Sequence, residues 1–150
     1  MIPPLEIRFD VAAPQVHAFE TWTSRIDSWW PRTHSVSEDD ALTVVLEPQL
    51  GGRLYERTSS GDEFDWGEVT VWEPPDRFGY LWHLRRDRAD ATDVLITFVP
   101  LDERSTRVDI RHTGWERLGD GGQDWREQNQ GGWSGVLPSY IATAETKGTS

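Results

Sequence analysis

The chain of 150 residues contains no cysteine. This absence excludes structural disulfides, thiolate catalysis and zinc sites with cysteine ligands. The four histidines (His17, His34, His83 and His112) show none of the spacings typical of metal sites. We therefore predict neither a metal nor any other cofactor.

Long apolar runs are also missing, and none approaches the roughly 20 residues of a membrane span. The first residues, "MIPPLEIRFDV", have no basic region, apolar core or cleavage site of a signal peptide. The net charge of −11 provides no long-range attraction for nucleic acid or anionic lipid. These features predict a cytoplasmic protein that binds neither nucleic acid nor membranes.

Tryptophan, in contrast, is abundant, with nine residues in a chain of single-domain length. We expect one domain over residues 1–150, with an ordered core of about 4–145 and a frayed tail after it. The arginines of "LRRDR" (84–88) are mixed with an acid and predict a solvated face.

The N-terminal part predicts one strand and two short helices. Residues 5–11 alternate apolar and polar side chains, which indicates a half-buried strand. Pro14 suits the first turn of a helix that continues to Trp22. A second short helix is predicted from Ser24, as its N-cap, to Trp30, because Pro31 disfavours a helical residue before it.

The remainder predicts six strands and a long helix. Residues 42–115 read as short strands separated by glycine, proline, aspartate and serine, which is typical of antiparallel neighbours. Apolar residues recur at helical spacing from Trp133 to Ala144, and the helix is predicted over 123–145. The fold class is therefore α+β, with a curved antiparallel sheet of about seven strands around a long C-terminal helix.

This order of elements resembles the helix-grip fold of the START-like superfamily, and within it the branch related to the activator of Hsp90 ATPase. The matching stretches are "PQVHAFETWT", "EPQLGGRLYE", "WGEVTVWEPPDRFGYLW", "TRVDIRHTGW" and "GGWSGVLPSYI". Together they span nearly the whole chain. Each stretch is unspecific alone, so the resemblance depends on their order and spacing.

The resemblance implies a cavity between the long helix and the sheet. Relatives bind lipids, hormones or polyketides, a few are cyclases or dehydratases, and the eukaryotic Hsp90 activators stimulate a chaperone. We expect a domain that binds a small apolar or aromatic molecule. The alternatives are an enzyme of the cyclase or dehydratase type and an Hsp90-type co-chaperone; a protein partner and a homodimer stay open.

Two residues are candidates for proton transfer. His112 shares a strand face with Val108 and Ile110, so its ring should point at the helix. It is either a neutral histidine satisfied by hydrogen bonds, which we favour, or a ligand contact and proton carrier. Glu68 is a buried acid or base if Trp66 and its neighbours point inward, and otherwise an ordinary solvated side chain, which we favour. A bulge at Gly67 could separate the two faces.

The predicted ligand contacts are aromatic. Tyr80 and Trp82 should point inward as core or as ligand contacts, and the pocket should be lined by Trp82, His112, Trp133 and Tyr140. The full set of ligand-binding candidates is Trp30, Trp66, Tyr80, Trp82, His112, Trp133 and Tyr140. Gly132, inside the predicted long helix, costs stability there; we favour close packing on the sheet over space for a ligand.

The adjacent Trp29 and Trp30 run directly into Pro31. Neighbouring helical residues point about 100° apart, so the two rings cannot face one pocket equally. We expect one indole to close the end of the core and the other to lie at the rim of the opening.

Overall fold

The computed structural model describes residues 2–83 and 87–145. The predicted tail after residue 145 and most of the arginine-rich stretch 84–88 lie outside the described residues. The strands are β1 (Leu5–Val11), β2 (Thr43–Leu46), β3 (Arg53–Arg57), β4 (Glu63–Glu73), β5 (Arg77–Trp82), β6 (Thr92–Asp102) and β7 (Ser105–Thr113). The α-helices are α1 (Gln15–Trp22) and α2 (Gly122–Glu145), and short 3-10 helices occur at Ile26–Ser28, Arg88–Asp90 and Trp115–Gly121.

The seven strands form one antiparallel sheet in the order β1-β7-β6-β5-β4-β3-β2. From β2 to β7 each strand pairs with its neighbour in sequence, and β1 joins the far side of β7. Short turns rich in glycine, proline and aspartate permit this meander. The predicted α+β fold with a curved seven-stranded sheet and a long C-terminal helix is confirmed.

Helix α2 packs its apolar stripe against the concave face of the sheet and against α1. Val136, Tyr140 and Ala144 are buried in the same core as Ile110 of β7. The Tyr140 hydroxyl donates to the Ala18 carbonyl of α1 over 2.8 Å. Among the described residues, no helix is long and apolar enough to cross a membrane.

The second short helix is shorter than predicted. It covers only Ile26–Ser28, and neither Ser24 nor any other side chain caps its first turn. The backbone of Trp29 is outside the helical region, with φ at −131°. A second short helix is therefore present as predicted, but its predicted bounds of 24–30 are wrong, because the residue before Pro31 disfavours helical geometry and the helix ends before both tryptophans.

Strand β4 contains two irregularities that change which face its side chains occupy. Its pairing with β3 skips Trp66, and its pairing with β5 skips Thr70. Each extra residue in one strand reverses the alternation beyond it. As a result Trp66 and Val69, three residues apart, are both buried.

Candidate functional site

A pocket of about 1010 Å³ opens between the first half of α2 and the sheet. Its walls come from α2, from the segment after the second short helix, from the start of β4 and from the end of β5 with the residues beyond it. The described residues that line it are Trp30, Thr33, His34, Val36, Glu63, Phe64, Asp65, Trp82, Asp87, Asp90, Trp125, Gln128, Asn129, Gly132, Trp133 and Val136. Its volume is at the upper end of the range of about 300–1,000 Å³ for small-molecule sites.

The walls combine aromatic rings with an acidic rim. Four tryptophans and Phe64 form apolar walls, and the polar lining includes His34 and four carboxylates. Phe64 is 37% exposed, so an aromatic face is open to solvent at the entrance. An apolar pocket with a few polar groups is the usual form of a small-molecule site.

Gly132 lies on the pocket side of α2. A Cβ atom added at Gly132, or at its neighbour Gly131, would meet no atom within 4 Å. Of these two glycines, Gly132 lines the pocket and Gly131 does not. The favoured interpretation of Gly132 as a close contact between helix and sheet is therefore wrong, and the space beside it belongs to the pocket.

His112 lies behind the pocket wall and is fully buried. The Trp133 indole Nε1–H donates to His112 Nδ1 over 3.2 Å, and His112 Nε2 is 2.6 Å from Thr92 Oγ1. Because an indole can only donate, Nδ1 must accept and the ring proton is on Nε2. Thr92 in turn donates to the Trp82 carbonyl over 3.4 Å. This chain of hydrogen bonds links two walls of the pocket from behind.

Burial lowers the pKa of His112 to about 3, because the charged imidazolium would lose its hydration. The ring is therefore neutral at physiological pH, and both of its nitrogens have partners. The predicted inward orientation of His112 is confirmed, whereas its predicted place in the pocket lining is wrong. Trp133 and Thr92 occupy its two nitrogens, and the ring does not border the open space of the pocket.

Three other predicted ligand contacts also lie behind the wall. Tyr140 and Tyr80 are almost fully buried and do not line the pocket, so the predicted place of Tyr140 in the lining is wrong. Burial raises the pKa of both phenols, which keeps them neutral. Trp66 is fully buried and supports two lining rings, at 5.2 Å from Trp30 and 6.0 Å from Trp82 between ring centroids. Of the predicted contacts, the pocket lining includes Trp30, Trp82 and Trp133.

Glu68 is excluded from the pocket by its register. It pairs with Leu81 of β5, between the inward residues Tyr80 and Trp82, so its side chain is on the opposite face of the sheet. The residue is half-buried and does not line the pocket. Its candidacy as a cavity acid or base is therefore wrong, and the bulge at Trp66 explains how Trp66 points inward without it.

A buried carboxylate that the sequence analysis did not single out lies next to the pocket. Glu56 of β3 is completely buried and accepts four hydrogen bonds. Oε1 accepts from Val36 N–H at 2.6 Å and from Trp66 Nε1–H at 2.7 Å. Oε2 accepts from the Ser37 N–H at 2.9 Å and from its hydroxyl at 2.6 Å.

Burial alone would raise the pKa of Glu56, but the hydrogen bonds from Ser37, Val36 and Trp66 outweigh it and lower the pKa below its ordinary value. Glu56 is therefore an ionised group inside the protein. The pattern "RLYER" contains one signal of this, because Leu54 and Glu56 share a strand face.

The adjacent tryptophans divide between core and pocket. Trp29 is in the core, 5.2 Å from the rings of both Trp22 and Tyr140, and donates to the Thr21 carbonyl over 2.7 Å. Trp30 lines the pocket and donates to the His34 carbonyl over 2.7 Å. Both are buried, at 3% and 5% exposure, so Trp30 forms a wall rather than an exposed rim.

A curved antiparallel sheet closed by one long C-terminal helix, with a pocket between them, defines a helix-grip protein. The family described as activator of Hsp90 ATPase homolog 1-like protein matches residues 12–143. The chain belongs to this family. No protein among the curated sequences matches it.

Solved structures of proteins with different described roles show the same fold. An anthrahydroquino-gamma-pyrone synthase, Txn09, complexed with SUM, is 31% identical, with 95% of this chain and 97% of that chain covered and a TM-score of 0.65. CalC from Micromonospora echinospora, described as a self-sacrificing resistance protein, is 26% identical, with 98% and 97% covered and a TM-score of 0.73. An Hsp90 activator from Plasmodium falciparum is 20% identical, with 73% and 71% covered and a TM-score of 0.53, and shows similarity of fold alone.

Proposed function

We propose that this protein binds a small apolar or aromatic molecule in the pocket between α2 and the sheet. The observation that carries the proposal is the open space at Gly132 beside the tryptophan walls. A glycine in a helix interior costs about 1 kcal/mol relative to alanine. No packing contact compensates for that cost at Gly132. A ligand that lies against the helix backbone would explain it.

An enzyme of the cyclase type is the second candidate, because the relative with 31% identity is described as a synthase. Binding is favoured because His112, the histidine on the concave face of β7, is neutral and lies behind the wall. In an enzyme, proton transfer inside the pocket would fall to His34 or to the carboxylates of the rim.

A matched pair of glycine variants tests the binding proposal. Gly132→Leu fills the pocket, whereas Gly131→Leu makes the same chemical change one residue away, outside the lining. We expect the neutral aromatic dye Nile red to bind the parent and the Gly131 variant alike. Its dissociation constant should rise about ten-fold or more in the Gly132 variant, which is about 1.4 kcal/mol.

Fluorescence titration measures these constants. Equal affinity in the two leucine variants would place the dye elsewhere and contradict the pocket as the binding site. Native mass spectrometry of protein purified from its own host would identify a retained ligand. Conversion of that ligand during incubation, with loss of turnover in His34→Gln, would favour the enzyme instead.

A further inference from the structure

Among the described residues, the charge of Glu56 has no cationic partner. None of the described arginines forms an ion pair with it, and its four hydrogen bonds come from neutral donors. Removing a carboxylate from water is costly, and well-packed apolar residues often replace buried charges at no loss of stability. A role in holding a particular geometry would explain why a carboxylate is present here.

The donors to Glu56 come from two elements that surround the pocket. One is the segment of residues 31–42, which we call the strap and which supplies Val36 and Ser37. The other is Trp66, whose ring supports Trp30 and Trp82 from behind. Val36, Trp30 and Trp82 all line the pocket. Glu56 thus contacts the lining residue Val36 directly, and it contacts Trp30 and Trp82 through the ring of Trp66.

We propose that Glu56 is the positioning residue of the ligand pocket. Its ionised carboxylate holds the strap against β3 and fixes the indole of Trp66, so that the walls have their binding geometry before a ligand arrives. The inference rests on the proposed binding function and adds how the site is pre-organised. Pre-organisation raises affinity because the protein does not have to order these walls during binding.

Glutamine is the sharpest substitution at this position, because it keeps the size of the side chain, removes the charge and replaces one acceptor oxygen with an NH₂ donor. Each carboxylate oxygen accepts one backbone N–H of the strap, from Val36 on Oε1 and from Ser37 on Oε2. In either orientation, the amide NH₂ of glutamine would face one of these N–H groups without being able to accept from it. One strap contact is therefore lost in every rotamer.

The test compares Glu56→Gln with Thr106→Val, which also removes one buried hydrogen bond. The Thr106 hydroxyl donates to the Ala13 carbonyl over 2.8 Å, at the end of β7 remote from His112. We expect Glu56→Gln to raise the Nile red dissociation constant about ten-fold at a temperature where it is folded. Thr106→Val should stay within about two-fold of the parent, although it also melts earlier.

Amide hydrogen exchange supplies a second measurement. Exchange at Val36 and Ser37 should accelerate in Glu56→Gln, while exchange in the centre of β7 stays close to that of the parent. If Glu56→Gln does not fold, Ser37→Ala removes one bond of the same cluster and should raise the dissociation constant about three-fold. The cysteine-free chain allows these measurements without thiol chemistry.

The outcomes separate this inference from the proposed function. Failure of Nile red to distinguish the Gly132 and Gly131 variants would overturn the pocket and this inference together. A pocket confirmed by that pair, with unchanged affinity in Glu56→Gln, would overturn the role of Glu56 alone and leave it a residue of the fold. Unchanged exchange at Val36 and Ser37 would do the same.

Discussion

The indole of Trp133 donates its N–H away from the pocket, to Nδ1 of His112 at 3.2 Å. This hydrogen bond uses the polar edge of the indole and leaves its apolar surface for the pocket wall. His112 therefore contributes to the site from behind, through the orientation of Trp133. The same ring reaches Trp82 through Thr92, so the opposite wall is tied to it as well.

The first prediction concerns the stability that this hydrogen-bond chain provides. His112→Phe would leave the indole N–H of Trp133 without an acceptor, whereas the hydroxyl of Thr92 would lose its bond to the imidazole and keep its bond to the Trp82 carbonyl. An unsatisfied buried group costs about 1–3 kcal/mol, so the free energy of unfolding should fall by about 2–3 kcal/mol. His112→Gln keeps a donor and an acceptor and should cost less, about 1 kcal/mol.

Chemical denaturation measures both variants, with Nile red titration beside it. Because His112 does not line the pocket, His112→Gln should change the dissociation constant by less than about three-fold. A large loss of affinity or of turnover at unchanged stability would contradict the structural role and return His112 to the candidate site residues.

The second prediction is a pH dependence of stability that originates at His112. Its pKa is lowered to about 3 in the folded state, against about 6.5 in the unfolded chain. Between these values the unfolded state binds more protons, so acidification favours unfolding. The free energy of unfolding should fall by up to about 1.4 kcal/mol for each pH unit below about 6.5.

Denaturation at pH 7.0, 6.0, 5.5 and 5.0 measures this slope, with His112→Gln as the control that flattens it. Glu56 acts in a lower window, because its pKa is lowered and its contribution is lost only when the pH falls below the usual range of carboxyl groups. Parallel profiles for parent and His112→Gln above pH 5 would contradict the assignment of the slope to His112.

Periodicity alone predicted the elements whose side chains follow one simple rule. Strand β1 alternates in and out along its whole length, and α2 places its apolar residues at helical spacing, so both were found within one residue. Periodicity failed for strand β4, because the bulge at Trp66 puts Trp66 and Val69, three residues apart, on one face. The position of a bulge depends on how the neighbouring strands pair with β4, and the sequence of β4 alone does not contain that information.

The candidate site was less predictable than the fold. Glu56 shares a face with Leu54, but three of its four hydrogen bonds come from a loop about 20 residues earlier, and no local pattern reveals such a pairing. His112 was correctly assigned to the inward face, but its distance from the pocket depends on Trp133 lying in front of it. The alternation of a strand predicts which side chains are buried. Whether a buried side chain reaches the pocket depends on which other side chains lie between it and the open space.

The third prediction concerns the bulge at the start of β4. A Cβ atom at Gly67 would lie 1.8 Å from the Leu81 carbonyl oxygen, and neither backbone can yield without breaking the pairing of β4 with β5. Gly67→Ala should therefore lower the free energy of unfolding by more than about 2 kcal/mol. Gly131→Ala, at an open helical position, should instead raise it by up to about 1 kcal/mol. Equal stability of the two alanine variants in urea would show that the strands do not approach this closely.

The last prediction separates the two adjacent tryptophans by function. Trp29→Phe removes the N–H donated to Thr21 and core contacts with Trp22 and Tyr140, none of which lines the pocket. It should lower the free energy of unfolding by about 1–3 kcal/mol and leave Nile red affinity within about two-fold of the parent. Trp30→Phe removes part of the pocket wall and the bond to the His34 carbonyl of the strap.

Trp30→Phe should therefore weaken Nile red binding about five-fold or more, which is about 1 kcal/mol. Its loss of stability should be no larger than that of Trp29→Phe, since the two rings are similarly buried. Urea denaturation and fluorescence titration of the two variants, under the same conditions, measure both quantities. The division between core and pocket would be contradicted if both variants lost affinity equally, because among the described residues the ring of Trp29 contacts one lining ring, that of Trp30, at 5.5 Å between centroids.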